Sequence, residues 1–187
     1  MRELSLHILD LVQNSITAGA SLISVQISLT QSVWTIHITD NGKGMAPELL
    51  AQVQSPFSTT RTERKVGLGI PLMTANARLT GGDVTIQSTP GHGCQVTAVF
   101  YAEHVDCLPM GDLAGTLLSL VIANPDQPDF SFEIVAQEKK ATFDTRIIRN
   151  ALDGVPLNTP EVIDWMRNSL YEEIEPIVGG TEYEIHR

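Results

Sequence analysis

Asp40-Asn41-Gly42-Lys43-Gly44-Met45 follows directly on Trp34-Thr35-Ile36-His37-Ile38-Thr39, whose apolar residues alternate as in a half-buried strand. An acid at the end of a strand, followed by two glycines two residues apart, suits a ligand loop. Glycine lacks a Cβ, so the backbone can take positive φ and let a flat group come close. The Asp40 carboxylate can then accept a hydrogen bond from an amino group lying on that floor. Asp-Asn-Gly is also an ordinary turn sequence. Taken by itself the stretch fits both readings, and the flanking segments have to separate them.

Upstream, residues 3–18 predict an amphipathic helix, with Leu4, Ile8, Leu11, Val12 and Ile16 at helical spacing and Gly19 placed for the C-terminal cap. Asp10 and Asn14 are four apart and so are neighbours on one face, and His7 lies three before Asp10. A carboxylate and an amide oxygen one turn apart can position a hard cation or a water. The same pair equally makes a solvated helix face. Ile23, Val25, Ile27 and Leu29 then alternate, Thr30-Gln31-Ser32 turns, and Val33–Thr39 returns, which predicts a β-hairpin ending at Asp40. Pro47 opens a short helix over 48–54.

Downstream, residues 55–66 are polar, carry Arg61, Arg64 and Lys65, and read as a mobile loop closed by Gly67-Leu68-Gly69. Residues 71–79 predict a helix with Leu72, Ala75 and Leu79 inward. Glycines just before a helix N-terminus expose N–H donors at the positive end of the dipole, which suits a phosphate. A plain loop-to-helix joint would use the same residues. Residues 83–88 and 94–101 predict a second hairpin, joined by Thr89-Pro90-Gly91-His92-Gly93. This order of elements implies an α+β two-layer sandwich, with helices on one face of a mixed or antiparallel sheet.

The 187 residues allow one medium domain or a domain with a small companion, and 42% hydrophobic with 18% charged residues is ordinary globular composition. No apolar run approaches the roughly 20 residues of a membrane span. The start, Met1-Arg2-Glu3-Leu4-Ser5-Leu6-His7, lacks the apolar core of a signal peptide. Cys94 and Cys107 are isolated, without metal spacing, and are expected as reduced thiols in a cytoplasmic protein. The net charge of −10 is uneven: residues 1–105 hold 6 Lys and Arg against 7 Asp and Glu, and residues 106–187 hold 6 against 15. So acidic a segment repels phosphate backbones, which argues against a nucleic-acid partner.

Four stretches in this order resemble the GHKL superfamily, the Bergerat-type ATP-binding fold shared by gyrase, heat-shock chaperones, mismatch-repair ATPases and histidine kinases. Asp10-Leu11-Val12-Gln13-Asn14-Ser15 looks like its N box and Asp40-Asn41-Gly42-Lys43-Gly44-Met45 its G1 box. Pro56-Phe57-Ser58-Thr59-Thr60-Arg61, continuing to Gly67-Leu68-Gly69-Ile70, looks like the lid and G2 box of histidine kinases in particular. Pro90-Gly91-His92-Gly93-Cys94-Gln95-Val96 resembles the final glycine-rich strand turn. The resemblance covers residues 1–103 or so. It implies that Asp40 accepts a hydrogen bond from the adenine amino group of ATP and that Gly42, Gly44 and Met45 floor the base, with Gly93 in the final turn. It also implies that Asn14 holds a Mg²⁺ bridging the phosphates, that Gly67, Leu68 and Gly69 offer backbone N–H groups to them, and that Thr59, Thr60 and Arg61 belong to the lid. Arg61 stands where relatives often carry lysine, and its planar fork still suits a phosphate.

Two departures shape the functional expectation. Asp10 stands where hydrolytic ATPases carry glutamate and many histidine kinases a neutral residue, so it is a candidate general base for a hydroxyl or water nucleophile. It is one methylene shorter than glutamate. The N box also begins at once, with no preceding helix to present a phosphoacceptor histidine. His7 is expected to orient or support, and His37, His92, His104 and His186 show no metal spacing. The expected function is a Mg-ATP-dependent regulatory or signalling kinase that phosphorylates a partner protein in trans. An ATP-hydrolysing switch and a non-catalytic nucleotide sensor are the alternatives, and homodimerisation is open.

From Asp106 the composition shifts. Residues 106–187 form a separate acidic region after an ATP-binding domain of 1–105, expected as a small α+β appendage or a docking surface. Asp112 is placed to cap an apolar helix over 113–123; Phe130 to Ile147 alternate as a hairpin; Thr159 is placed to cap a helix over 160–173. The region shows no catalytic constellation.

Overall fold

The computed structural model describes residues 2–54 and 69–179. The elements are α1 (Leu4–Thr17), β1 (Leu22–Thr30), β2 (Val33–Asp40), α2 (Pro47–Gln54), α3 (Gly69–Leu79), β3 (Val84–Thr89) and β4 (Gly93–Tyr101), followed by α4 (Leu113–Ala123), β5 (Asp129–Ala136), β6 (Lys139–Asp144), α5 (Thr145–Leu152) and α6 (Pro160–Val178). The strands form one mixed sheet in the order β3-β4-β2-β1-β5-β6. All neighbours are antiparallel except β1 and β5. The C-terminal hairpin thus joins the sheet begun by the first half of the chain.

Alternation along the strands gives the sheet one buried face. In β2, Trp34, Ile36 and Ile38 are buried while the residues between them are half-exposed. Register carries that face across the sheet: Val25 stands opposite Ile38 and Phe132, and Ile38 opposite Val96. Helix α1 packs between α3 and α4, and α4 packs on α6, so α3, α1, α4 and α6 form the covering layer. Leu4, Ile8, Leu11 and Val12 of α1 are buried in it. The α+β architecture with a helical layer agrees with the alternation and helical periods of the sequence.

Four local expectations change. Helix α3 starts at Gly69 and buries Ile70, Met73 and Ala77, whereas Leu72 and Leu79 are 40% and 58% exposed and Ala75 is also outward. Both stripes have helical spacing; a hydrogen bond from Asn76 Nδ2 to His7 Nε2 at 2.9 Å shows which side faces α1. The strand expected through Ile147 ends at Asp144, whose carboxylate accepts from Arg146 N at 2.9 Å and starts α5. Helix α6 runs on to Val178 with Pro176 in its last turn. Thr159 sits at the N-cap of α6 but caps through its carbonyl, which accepts from Ile163 N, rather than through its hydroxyl.

Candidate functional site

Asp40 ends β2 beside Cys94 of β4 and is 7% exposed. A carboxylate so buried needs donors, and it has two from the chain. Ser15 Oγ donates to Oδ2 at 2.7 Å, and Gly42 N donates to Oδ1 at 2.9 Å. Such charge-assisted bonds contribute about 1.5–3 kcal/mol each. They fix the carboxylate while each oxygen retains further lone-pair capacity. Ser15 is available because it lies on the buried side of α1, with Leu11 and Val12 anchored in the core.

The loop after Asp40 is held on three sides. Asn41 Oδ1 accepts from Ser21 N and Leu22 N, both at 2.9 Å, and its Nδ2 donates to Ser21 Oγ, which ties the loop to the start of β1. Lys43 N donates to Ala18 O at the end of α1, and Gly91 N donates to Lys43 O from the β3–β4 turn. Ser88 Oγ accepts from Met45 N at 2.9 Å and donates to Gly93 O at 2.8 Å, bridging the same turn. Gly44 has φ +66° and Gly93 φ +88°; a Cβ on the first would overlap the Thr89 carbonyl, and on the second the Asp40 carbonyl. These two positions admit no side chain without moving backbone.

Above the loop lies a cavity of about 210 Å³. Asn14, Ser15, Asp40, Lys43, Gly44, Met45 and Cys94 line it, with an apolar wall of Leu11, Ile38, Leu49, Val53, Ile70 and Val96. Burial, reinforced by the Asp40 charge, pushes the Cys94 thiol up to about 11, so it stays protonated and acts as a neutral wall. The cavity falls below the roughly 300–1,000 Å³ of a site that encloses a whole drug-sized ligand. It suits a flat ring whose attachments extend outside.

Of the residues singled out in the sequence, Asn14, Asp40, Gly44 and Met45 share this cavity, and Gly42 and Gly93 shape the backbone beneath it. Asp10 does not line it. Its carboxylate lies against Gly69 at the start of α3, where any Cβ would overlap Asp10 Oδ2. Thr59, Thr60, Arg61, Gly67 and Leu68 lie outside the described residues. Sequence reasoning missed the tasks of Ser15, Ser88 and Lys43. Only Ser15 left a signal, as a polar residue on the apolar side of α1. Among the described residues no group of three His, Cys, Asp or Glu could hold a metal by itself.

His7 is fully buried, accepts from Asn76 through Nε2, and has no partner for Nδ1 among the described residues. Burial lowers its pKa from 6.5, against the opposing pull of Asp10. The unfolded chain therefore takes up a proton that the folded one refuses, and stability falls as pH drops below about 6.5. Thermal melts from pH 7.5 to 5 should show this slope, and His7→Gln should flatten it. Equal slopes in both proteins would exclude His7 as the source.

The geometry can be set beside known proteins. Residues 2–104 match the family described as histidine kinase-, DNA gyrase B-, and HSP90-like ATPase. Signal transduction histidine-protein kinase AfsQ2 of Streptomyces coelicolor is 29% identical over 51% of this chain and 19% of its own length. Sporulation kinase C of Bacillus subtilis is 30% identical over 46% and 20%. Sensor histidine kinase ZraS of Escherichia coli O157:H7 is 33% identical over 48% and 20%. The alignment thus spans about a fifth of each of these relatives. The N-terminal domain of a DNA repair protein superposes with a TM-score of 0.53 over 76% of this chain and 52% of that one, at 16% identity, a likeness of fold. No described helix is long and apolar enough to cross a membrane. With the family match covering more than half of its residues, the chain belongs to the histidine kinase-, DNA gyrase B- and HSP90-like ATPases.

Proposed function

We propose that this protein binds Mg-ATP with adenine in the Asp40 cavity and transfers the γ-phosphate to a partner protein. The observation that carries the reading is the placement of Asp40 and Asn14 in one small cavity, the acid fixed by Ser15 and Gly42. The residues fit the nucleotide. A fixed carboxylate accepts from the exocyclic amino group of adenine and repels a base that presents a carbonyl there. Gly44 and Met45 form the floor, and Ile38 and Val96 pack the ring.

Asn14 fits Mg²⁺ as an oxygen ligand at the cavity wall. One protein ligand is enough for an ion that keeps several waters and shares phosphate oxygens. Bound there, Mg²⁺ would neutralise charge on the phosphates. Gly69 opens α3, so the positive end of that helix supports an anion. In this reading Gly67 and Leu68 add N–H donors, and Thr59, Thr60 and Arg61 close over the phosphates. Asp10, beside Gly69 and one turn from Asn14, would take the proton from the attacking hydroxyl or water.

That carboxylate also supports a second reading, in which water is the nucleophile and slow hydrolysis switches contacts with a partner. Asp10→Asn separates binding from chemistry. Turnover should fall by about 10²–10⁴-fold with ATP affinity nearly intact; unchanged turnover would remove Asp10 from the chemistry. The fate of γ-labelled ATP, with the protein alone and with extract, then decides between readings. Label on a second protein supports transfer in trans, and release of free phosphate alone supports the switch.

A further inference from the structure

The end of the sheet away from Asp40 holds a second and larger concavity, of about 1240 Å³. It is framed by the β1–β2 turn, the segment after β4, the start of α4 and the last turns of α6. Leu29, Trp34, Leu108, Met110 and Val178 give it an apolar floor. Glu3, Glu103, Asp112 and Glu175 also line it, and among the described residues no Lys, Arg or His does.

Two of these carboxylates are held by neutral donors. Glu103 accepts from Ser32 Oγ at 2.6 Å, and Asp112 accepts from Gly115 N at 2.8 Å and from Tyr171 Oη at 2.9 Å. The ion pairs among the described residues all lie elsewhere and use none of the four. Like charges around an apolar slot repel one another and focus a negative potential into it. The volume exceeds the roughly 300–1,000 Å³ of small-molecule sites, which suits a stretch of polypeptide.

We propose that this groove docks a basic, apolar segment of a partner protein. Its apolar side chains cover Leu29 and Leu108, above the buried Trp34, and its Lys or Arg side chains pair with the rim. A second copy of this chain is a poor occupant: its net charge is −10, and five described cations (Arg78, Lys140, Arg146, Arg149 and Arg167) are already ion-paired. The docking does not depend on nucleotide and goes beyond the function proposed above.

The chain has two tryptophans, Trp34 buried at the floor of the groove and Trp165 exposed on α6. Full-length protein carrying Trp165→Phe therefore reports on the groove through Trp34 fluorescence. It is titrated with a synthetic peptide of alternating Lys and Leu, and with its Glu and Leu counterpart. A saturable change with the basic peptide alone is expected. Glu103→Lys with Glu175→Lys should weaken it at least about tenfold. Glu161→Lys with Glu172→Lys, an equal charge change on the outward side of α6, should leave it unaltered. No Trp34 response, an equal response to the acidic peptide, or equal weakening by both pairs would overturn the proposal. So would a shift that follows protein concentration without peptide, which would assign the groove to a second copy.

Discussion

With adenine in the Asp40 cavity as proposed, Asp40→Asn should weaken ATP binding by at least about a hundredfold, a loss near 2.7 kcal/mol. The reason lies in the two donors that already hold the side chain. The amide oxygen of asparagine can keep the bond from Gly42 N, and Ser15 Oγ can reverse to accept from the amide nitrogen. The fold therefore survives with a modest change in melting temperature. What the cavity then presents is an N–H where adenine presents its own, and two donors face each other without an acceptor. A base with a carbonyl at that position, as in inosine triphosphate, is rejected less, so the ratio of ATP to ITP affinity narrows. Calorimetry with both nucleotides measures it, and wild-type affinity in the variant would remove Asp40 from the site.

Gly93→Ala has the largest expected effect on stability, because its Cβ would overlap the carbonyl of Asp40 and φ is +88°. Neither atom belongs to a flexible side chain, so β2 and β4 must separate at the Asp40–Cys94 pair. A cost of about 2–4 kcal/mol is expected, a fall of roughly 5–15 °C in Tm for a chain of this size. Gly91→Ala is the control: φ is +78° but nothing lies within 4 Å of the added carbon. It should cost only about 1–2 kcal/mol, from the left-handed conformation. Equal melting temperatures for the two variants would show that the close approach at Gly93 does not matter.

The strands and the Asp40 loop were legible because their information is local. Alternation in Trp34-Thr35-Ile36-His37-Ile38 assigns a face, and Gly42 and Gly44 stand within four residues of the acid they serve. Ser15 and Ser88 were not legible as structural partners. Ser15 meets Asp40 across 25 residues and Ser88 meets Met45 across 43, and a serine in a helix or strand announces no partner. The rotation of α3 was lost for a related reason: Leu72, Ala75 and Leu79 have the same period as Ile70, Met73 and Ala77. Only the bond between Asn76 and His7, 69 residues apart, distinguishes the two. Alternation also names no neighbour, so Phe130-Ser131-Phe132 revealed a strand but not that it lies beside β1.

That parallel neighbour has a practical meaning. β5 bonds the backbone of β1 along its length, and Asp129 N reaches Ser21 O, next to the residues that Asn41 holds. A fragment cut after residue 105 would keep every side chain that lines the Asp40 cavity, yet its first strand would become a raw sheet edge. Unpaired edges of that kind recruit whatever strand is at hand. Oligomers of such a fragment would report the scissors rather than the protein.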